Sequence, residues 1–184
     1  MSLPLPGDVL LVQTPRKAYG VGRRLMGSPY DHVSVVVRGE MTLNIVRPKV
    51  VRTPLSRMLQ ARRRPVLLRP AWPSDQARDR FVDALEALAD APYDPWRGVS
   101  MVLRLAVRRA LGVHLPMDPP RMEGPRYICT DTTLLGLSAA LPDFEEALRT
   151  LPLDYRALRS ASTNDFLRIA ELRPDLLRRE PLHP

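Results

Sequence analysis

The chain contains little cysteine, histidine or aromatic side chain, and each shortage excludes a class of protein. A single cysteine, Cys129, rules out an internal disulfide framework and favours a reducing compartment. One cysteine and three dispersed histidines offer no metal-ligand spacing, so we predict neither a metal site nor a cofactor. Aromatic residues make up 5% of the sequence and nucleic-acid-binding motifs are absent, so no specific nucleic acid is expected as a partner.

Long apolar runs are missing as well. No stretch approaches the roughly 20 apolar residues that a membrane-spanning helix needs. Residues 1–7 lack the basic and apolar regions of a secretory signal, so the expected location is the cytoplasm, with delivery elsewhere left open. The 184 residues, 45% of them hydrophobic, predict a single domain over 1–184, with a core at about 5–140 and a helical extension over 142–184.

Acidic residues are outnumbered, which leaves a net charge of +8 that is carried mostly by arginine. The arginine clusters at 62–64, 108–109 and 178–179 are scattered along the chain and form no continuous basic tract. This distribution is typical of a solvated surface. It also leaves an anionic membrane surface open as a partner.

The first third of the chain has the pattern of strands. Short apolar runs rich in valine predict about five of them, at 8–13, 32–37, 42–46, 50–52 and 65–69. A turn at 38–40 and a break at Pro48 favour hairpins between neighbouring runs. The glycine-rich stretch over 19–27 is interpreted as a connection between the first two strands.

The rest of the chain is predicted to be mostly helical. Ser74 is expected to cap one helix, and a second helix should stop at Gly112. Residues 115–125 hold four prolines and predict an irregular loop. The stretch 130–141 is small, apolar and almost uncharged, which predicts a helix buried on most sides. The predicted fold class is therefore α+β.

Cys129 stands at the predicted start of that last helix. Unpaired backbone amides and the helix dipole favour a thiolate there and are expected to lower the pKa of the thiol. A histidine within reach could accept the thiol proton and return it to a leaving group. His183 is next to the chain end and His114 lies in the proline-rich loop, whereas His32 is inside a predicted strand. His32 is therefore the predicted base.

Several short segments, taken in order, resemble a known superfamily. They are Gly7–Leu11, Asp31–Val36, Leu43–Val46, Thr53–Leu55, Pro92–Asp94 and Tyr127–Asp131. Together they are similar to the circularly permuted branch of the NlpC-type papain-like cysteine hydrolases, in which the histidine strand precedes the cysteine helix. Within that branch the sequence resembles the YiiX/YaeF-like hydrolases and, more distantly, the lecithin retinol acyltransferase-like proteins. The resemblance covers roughly residues 5–140.

The resemblance implies a catalytic triad. Cys129 matches the family nucleophile and His32 its general base, and Asn44 stands where the family has its third polar residue, on the strand after the histidine. The implied fold is permuted papain-like, with an antiparallel sheet of about five strands packed on the helix that carries the nucleophile. Thr130 and Asp131 replace the commoner serine and glutamate after the cysteine.

The activity implied by the resemblance is cleavage or transfer of an acyl group, at an amide or ester bond, through a cysteine thioester. The implied substrate is a peptide, an acylated protein or a lipid. Further candidates for the substrate site are Asp8, Tyr30, Tyr93, Tyr127 and Thr130. The alternative reading is a catalytically inactive papain-like module that binds lipid or anionic surfaces.

Overall fold

One antiparallel sheet of six strands organises the part of the chain that the structure, a computed structural model, describes. The described residues are 3–15, 17–61, 63–121, 124 and 126–182. Residues 1–2 and 183–184 of the predicted domain, and Arg62 of the basic cluster at 62–64, lie outside them. The strands are β1 (Val9–Gln13), β2 (His32–Val37), β3 (Met41–Ile45), β4 (Val50–Pro54), β5 (Arg63–Pro70) and β6 (Leu177–Glu180). Their spatial order is β4-β3-β2-β1-β5-β6.

Helices surround this sheet. In chain order they are α1 (Lys17–Met26), α2 (Leu55–Ala61), α3 (Asp75–Glu86), α4 (Pro95–Leu111), α5 (Cys129–Ala140), α6 (Pro142–Thr150), α7 (Asp154–Leu158) and α8 (Thr163–Leu172). The predicted cap of α3 is confirmed, because the Ser74 side chain accepts a hydrogen bond from the Ala77 amide. The predicted stop of α4 is also confirmed: Gly112 takes a left-handed conformation with φ of 68°. Within the described residues, no helix combines the length and apolar character needed to cross a membrane.

The register of the central strands brings the predicted base and its partner together. Val12 of β1 lies opposite His32 of β2, and Ser34 lies opposite Asn44 of β3. Residues two apart on a strand, and residues opposite each other on antiparallel neighbours, project from the same face. His32, Ser34 and Asn44 therefore share one face of the sheet, at the end of β2 where pairing with β3 stops.

The other face of the sheet holds α5 in place. Val33 projects from this face and belongs to the same buried cluster as Leu134 of α5. α3 covers α5 so closely that a Cβ atom on Gly136 would lie 2.8 Å from a ring carbon of Phe81. Glycine is therefore required at the contact between these two helices. The packing confirms that α5 is buried on most sides and fixes where its first residue, Cys129, can lie.

The structure differs from the sequence-based expectation in two segments. The glycine-rich stretch over 19–27, interpreted as a connection, belongs largely to α1, because Met26 packs with Met101 and Leu105 of α4. The extension over 142–184, predicted to be helical, also contains β6, which pairs with β5 and raises the strand number from about five to six. Both elements depend on partners that are distant in sequence. The α+β class and the antiparallel sheet are confirmed.

Candidate active site

Cys129 is the first residue of α5 and is half-buried. The backbone amides of Val33, Thr130 and Cys129 itself are near its sulfur and act to lower the pKa of the thiol. The residue before it, Ile128, is extended and gives the helix no side-chain cap. The first amides of α5 are therefore available to a group at the sulfur position.

Burial nevertheless has the largest effect on the pKa of the Cys129 thiol. It raises the pKa of Cys129 to about 11, and the negative charge of Asp131 acts in the same direction. The backbone amides of Val33 and Thr130 oppose the shift but do not reverse it. The amides at the helix start do act to lower the pKa of the thiol, as expected, but the net shift is upward. Loss of hydration outweighs the amides.

This raised pKa predicts an unusual alkylation profile. We expect the rate of Cys129 modification by iodoacetamide to keep rising up to about pH 11. An ordinary thiol would level off above about pH 8.5. The folded pKa exceeds the unfolded one, so the thiol favours folding below about pH 8.5 and loses that contribution as the pH rises towards 11. The adduct can be followed by intact mass, because the chain has one cysteine.

The control for this profile is the same protein unfolded in urea, in which the rate should level off near the ordinary thiol value. Circular dichroism at each pH shows whether the chain is still folded. A plateau below pH 8.5 in the folded protein would contradict the prediction and indicate a thiolate that is stable at rest.

His32 is oriented by a buried network of polar side chains. Its Nε2 lies 3.1 Å from Oδ1 of Asn44. The amide group of Asn44 is oriented by two further bonds: Nδ2 donates to Oγ1 of Thr42 at 2.9 Å, and Oδ1 accepts from Oγ of Ser34 at 2.8 Å. Because Oδ1 can only accept, Nε2 must carry a hydrogen, so in the neutral ring Nδ1 bears the lone pair.

The thiol of Cys129 lies near the backbone of β2, at the residue that follows His32. That residue is Val33, whose amide acts to lower the pKa of the Cys129 thiol. Strand amides lie in the plane of the sheet, and the ladder between β2 and β3 ends at Ser34 and Asn44. The amide of Val33 is therefore at the open end of that ladder, and the Cys129 sulfur lies near this end.

Tyr93 and Tyr127 lie beside the thiol. They form an isolated parallel bridge, in which the amide of Asp94 donates to the carbonyl of Tyr127 at 2.9 Å. Tyr127 is two residues before Cys129, so this pairing determines how the chain enters α5. Burial raises the pKa of the Tyr93 phenol, and the nearby charge of the Cys129 thiolate raises it further. Tyr93 thus faces the site with its side chain, whereas Tyr127 contributes its backbone.

The other substrate-site candidates are placed differently. Asp8 pairs with Arg69 through contacts of 3.0 and 2.8 Å. Asp8 is four residues before Val12, which lies opposite His32, so it is roughly 13 Å from that position along the strand. Tyr30 is in the hydrophobic core. Asp8 and Tyr30 are therefore assigned structural roles. Thr130 is buried, and its hydroxyl has no hydrogen-bond partner within the described part of the chain.

Asp131 is a positioning residue that sequence reasoning treated only as a substitution in the motif. Its buried carboxylate accepts from Nε of Arg97 at 2.6 Å, from Oγ of Ser160 at 3.0 Å and from the amide of Ala161 at 2.6 Å. These bonds tie the first turn of α5 to α4 and to the segment before α8. Burial raises the pKa of Asp131, and the Arg97 guanidinium opposes that shift. An acid in the first turn of a helix was the available signal.

Comparison with solved structures gives a match over nearly the whole chain. The chain matches no family model and no curated protein. Among solved structures it is similar to the metalloprotein yiiX from Escherichia coli O157:H7, which bears the label DUF1105. The TM-score is 0.52 at 14% sequence identity, and the match covers 98% of this chain and 98% of that chain. At this identity the likeness concerns the fold, and it shows that the chain has a YiiX-like fold.

Proposed function

We propose that the chain cleaves or transfers an acyl group through a thioester on Cys129, with His32 as base and Asn44 as the residue that orients it. One observation carries the proposal. The amide of Val33 is close enough to the sulfur of Cys129 to lower the pKa of the thiol, and the preceding residue, His32, has its Nε2 3.1 Å from Oδ1 of Asn44. A thiol, an imidazole and a polar orienting group are the parts that nucleophilic acyl transfer requires.

The first step forms the thioester. As the sulfur of Cys129 attacks the carbonyl carbon of the substrate, its proton passes to Nδ1 of His32. The raised pKa of Cys129 supports this order, because a thiol that is protonated at neutral pH needs a base during the attack. The carbonyl oxygen becomes an oxyanion, for which the Cys129 backbone amide at the start of α5 is the proposed donor.

The second half of the reaction releases the products. The oxyanion collapses, the bond to the leaving nitrogen or oxygen breaks, and the leaving group takes the proton from Nδ1 of His32. Water or another nucleophile then gives a proton to Nδ1 and attacks the thioester carbon. The carbon–sulfur bond breaks, and the proton returns to the Cys129 sulfur. Throughout the cycle Asn44 accepts from Nε2, which stabilises the imidazolium and fixes the ring.

The permuted papain-like assignment is part of this proposal. The histidine strand β2 precedes the cysteine helix α5 in the chain, and a polar residue follows on the neighbouring strand β3. This order supports a permuted arrangement of the triad. The proposed substrate is a peptide, an acylated protein or a lipid, attacked at an amide or ester bond.

The similar structure is called a metalloprotein, which raises the question of a metal here. Within the described residues there is no group of three or more His, Cys, Asp and Glu side chains that could hold a metal ion. The donor set near Cys129 consists of one thiol and one imidazole, and the imidazole Nε2 is already held by Asn44. These residues do not fit a metal centre, so no step of the proposed reaction passes through one.

The test is to trap the acyl-enzyme. Wild-type protein is mixed with p-nitrophenyl esters and acyl thioesters of increasing chain length, and intact mass is followed over time. We expect one acyl adduct per chain that forms and then decays, and none in Cys129→Ala. Because Cys129 is the single cysteine, a thioester has only one possible position.

Wild-type protein unfolded in urea is the matched control for ordinary thiol reactivity and should form the adduct far more slowly than the folded protein. Equal rates in folded and unfolded protein would contradict the proposal, as would full turnover by Cys129→Ala.

A further inference from the structure

A stripe of apolar side chains on α4 faces solvent. Trp96, Val99 and Leu103 are 75%, 56% and 62% exposed. They are separated by three and four residues and so lie along one side of the helix. The opposite side of α4 is already occupied, because Met101 and Leu105 are buried in a core cluster. α4 therefore has a second apolar side that the fold does not cover.

The neighbouring helix α1 also exposes apolar side chains. α1 packs against α4. Leu25 of α1 is near the C-terminal end of α4, because the Leu25 carbonyl accepts a hydrogen bond from Arg109 at 3.2 Å. Three apolar side chains of α1 are exposed: Tyr19, Val21 and Leu25. We call the exposed apolar residues of both helices the α1–α4 face. They are Tyr19, Val21, Leu25, Trp96, Val99, Leu103 and Leu111.

All charged residues of α1 and α4 are basic. Neither contains aspartate or glutamate, whereas the basic residues are Lys17, Arg23, Arg24, Arg97, Arg104, Arg108 and Arg109. Some of this charge is balanced by Asp31, Asp131 and Asp154, which lie outside both helices. Lys17 and Arg24 are exposed, and neither forms a salt bridge within the described part of the chain.

We propose that the α1–α4 face docks on the surface of an anionic lipid bilayer. Exposed tryptophan, tyrosine and leucine beside lysine and arginine are the composition of helices that lie in the plane of the membrane interface. The apolar side chains would enter the headgroup boundary while Lys17 and Arg24 contact anionic headgroups. A second copy of this chain fits less well, because a symmetric pairing of this face would oppose like charges.

Docking would bring the candidate active site close to the lipid. The hydroxyl of Tyr93 lies against α4, because a Cβ atom on Gly98 would be 2.8 Å from it. Trp96 is three residues after Tyr93. The α1–α4 face therefore adjoins the wall of the site. The docking itself does not require the proposed chemistry, so Cys129→Ala should bind vesicles as wild type does.

The test measures binding to vesicles of phosphatidylcholine, with and without equimolar phosphatidylglycerol. Cosedimentation gives the affinity, and the emission of Trp96 in a Trp72→Phe background reports its transfer into the interface. We expect at least roughly tenfold tighter binding to the anionic vesicles and a blue shift of Trp96. The double variants Trp96→Ser/Leu103→Ser and Lys17→Glu/Arg24→Glu should each lose at least roughly tenfold in affinity for the anionic vesicles.

Matched controls lie elsewhere on the surface. Leu172→Ser removes an exposed leucine from α8, and Arg57→Glu reverses an exposed charge on α2, so both should bind as wild type. Equal affinity for neutral and anionic vesicles would overturn the proposal, as would undiminished binding by the two double variants. If analytical ultracentrifugation shows a wild-type dimer that Trp96→Ser/Leu103→Ser converts to monomer, the face binds a second copy and the membrane proposal is wrong.

Discussion

Replacing His32 by alanine should lower the rate of Cys129 acylation by about 10²- to 10⁴-fold, the usual contribution of a positioned general base. The physical reason is the raised pKa of the thiol: without a base, little thiolate is present at neutral pH. The measurement is the rate of adduct formation by intact mass at pH 7. Asn44→Ala should also lower this rate, because the imidazole loses the acceptor of its Nε2 hydrogen.

His114→Ala is the matched control, since His114 is exposed in the loop that follows α4. It should leave the acylation rate unchanged. The base assignment fails if His32→Ala acylates at the wild-type rate, or if His114→Ala slows the reaction as much. Thermal unfolding of each variant shows whether a slow rate reflects lost chemistry or lost structure.

Replacing Asp131 by alanine should lower the free energy of unfolding by about 3–5 kcal/mol, the usual cost of removing one partner of a buried ion pair. The change leaves the guanidinium of Arg97 without its carboxylate. It also removes the acceptor of the Ser160 hydroxyl and the Ala161 amide. The measurement is the urea midpoint, with the slope checked for two-state behaviour. Asp131→Asn keeps an acceptor oxygen and should lose less.

The control for this change is Asp143→Ala, which removes an exposed acid from the first turn of α6. Its expected loss is at most about 1 kcal/mol, the usual strength of a charge at a helix end. If the Asp131 and Asp143 variants lose the same stability, the hydrogen bonds of Asp131 do not anchor α5. If Asp131→Ala does not fold, the same comparison is made with Asp131→Asn and Arg97→Ala.

The central strands of the sheet could be predicted from local sequence patterns. Valine-rich runs predicted β2 and its neighbours, because buried strands are recognisable from a few apolar, β-branched residues. The pairing of Ser34 with Asn44 follows from a short turn between β2 and β3, so the approach of Asn44 to His32 was predictable as well. The capping serine of α3 and the terminal glycine of α4 were predictable because capping is local.

The elements that sequence reasoning missed are stabilised by distant partners. α1 contains Gly20 and Gly22, which are poor helix formers, and its formation depends on packing against α4. β6 contains Arg178, Arg179 and Glu180, which have no strand pattern, and it forms an edge strand by pairing with β5. Neither α4, the partner of α1, nor β5, the partner of β6, lies within the few residues over which a local sequence pattern is read.

The same limit applies to the candidate site. The partner of Asp131 is Arg97, 34 residues earlier. Outside the site, the partner of Asp8 is Arg69, 61 residues later. The raised pKa of Cys129 depends on burial by the whole fold. Sequence could identify the reactive residue types, whereas their protonation is set by tertiary structure.

The bridge between Tyr93 and Tyr127 ties the starts of two helices together. Asp94 caps α4 with its side chain, and its backbone amide donates to the carbonyl of Tyr127. Arg97 in the first turn of α4 donates to Asp131 in the first turn of α5. Fraying of the first turn of either helix breaks hydrogen bonds that also hold the first turn of the other helix. The two therefore form one cooperative unit that opens as a whole, so the thiol keeps its surroundings only while α4 stays intact.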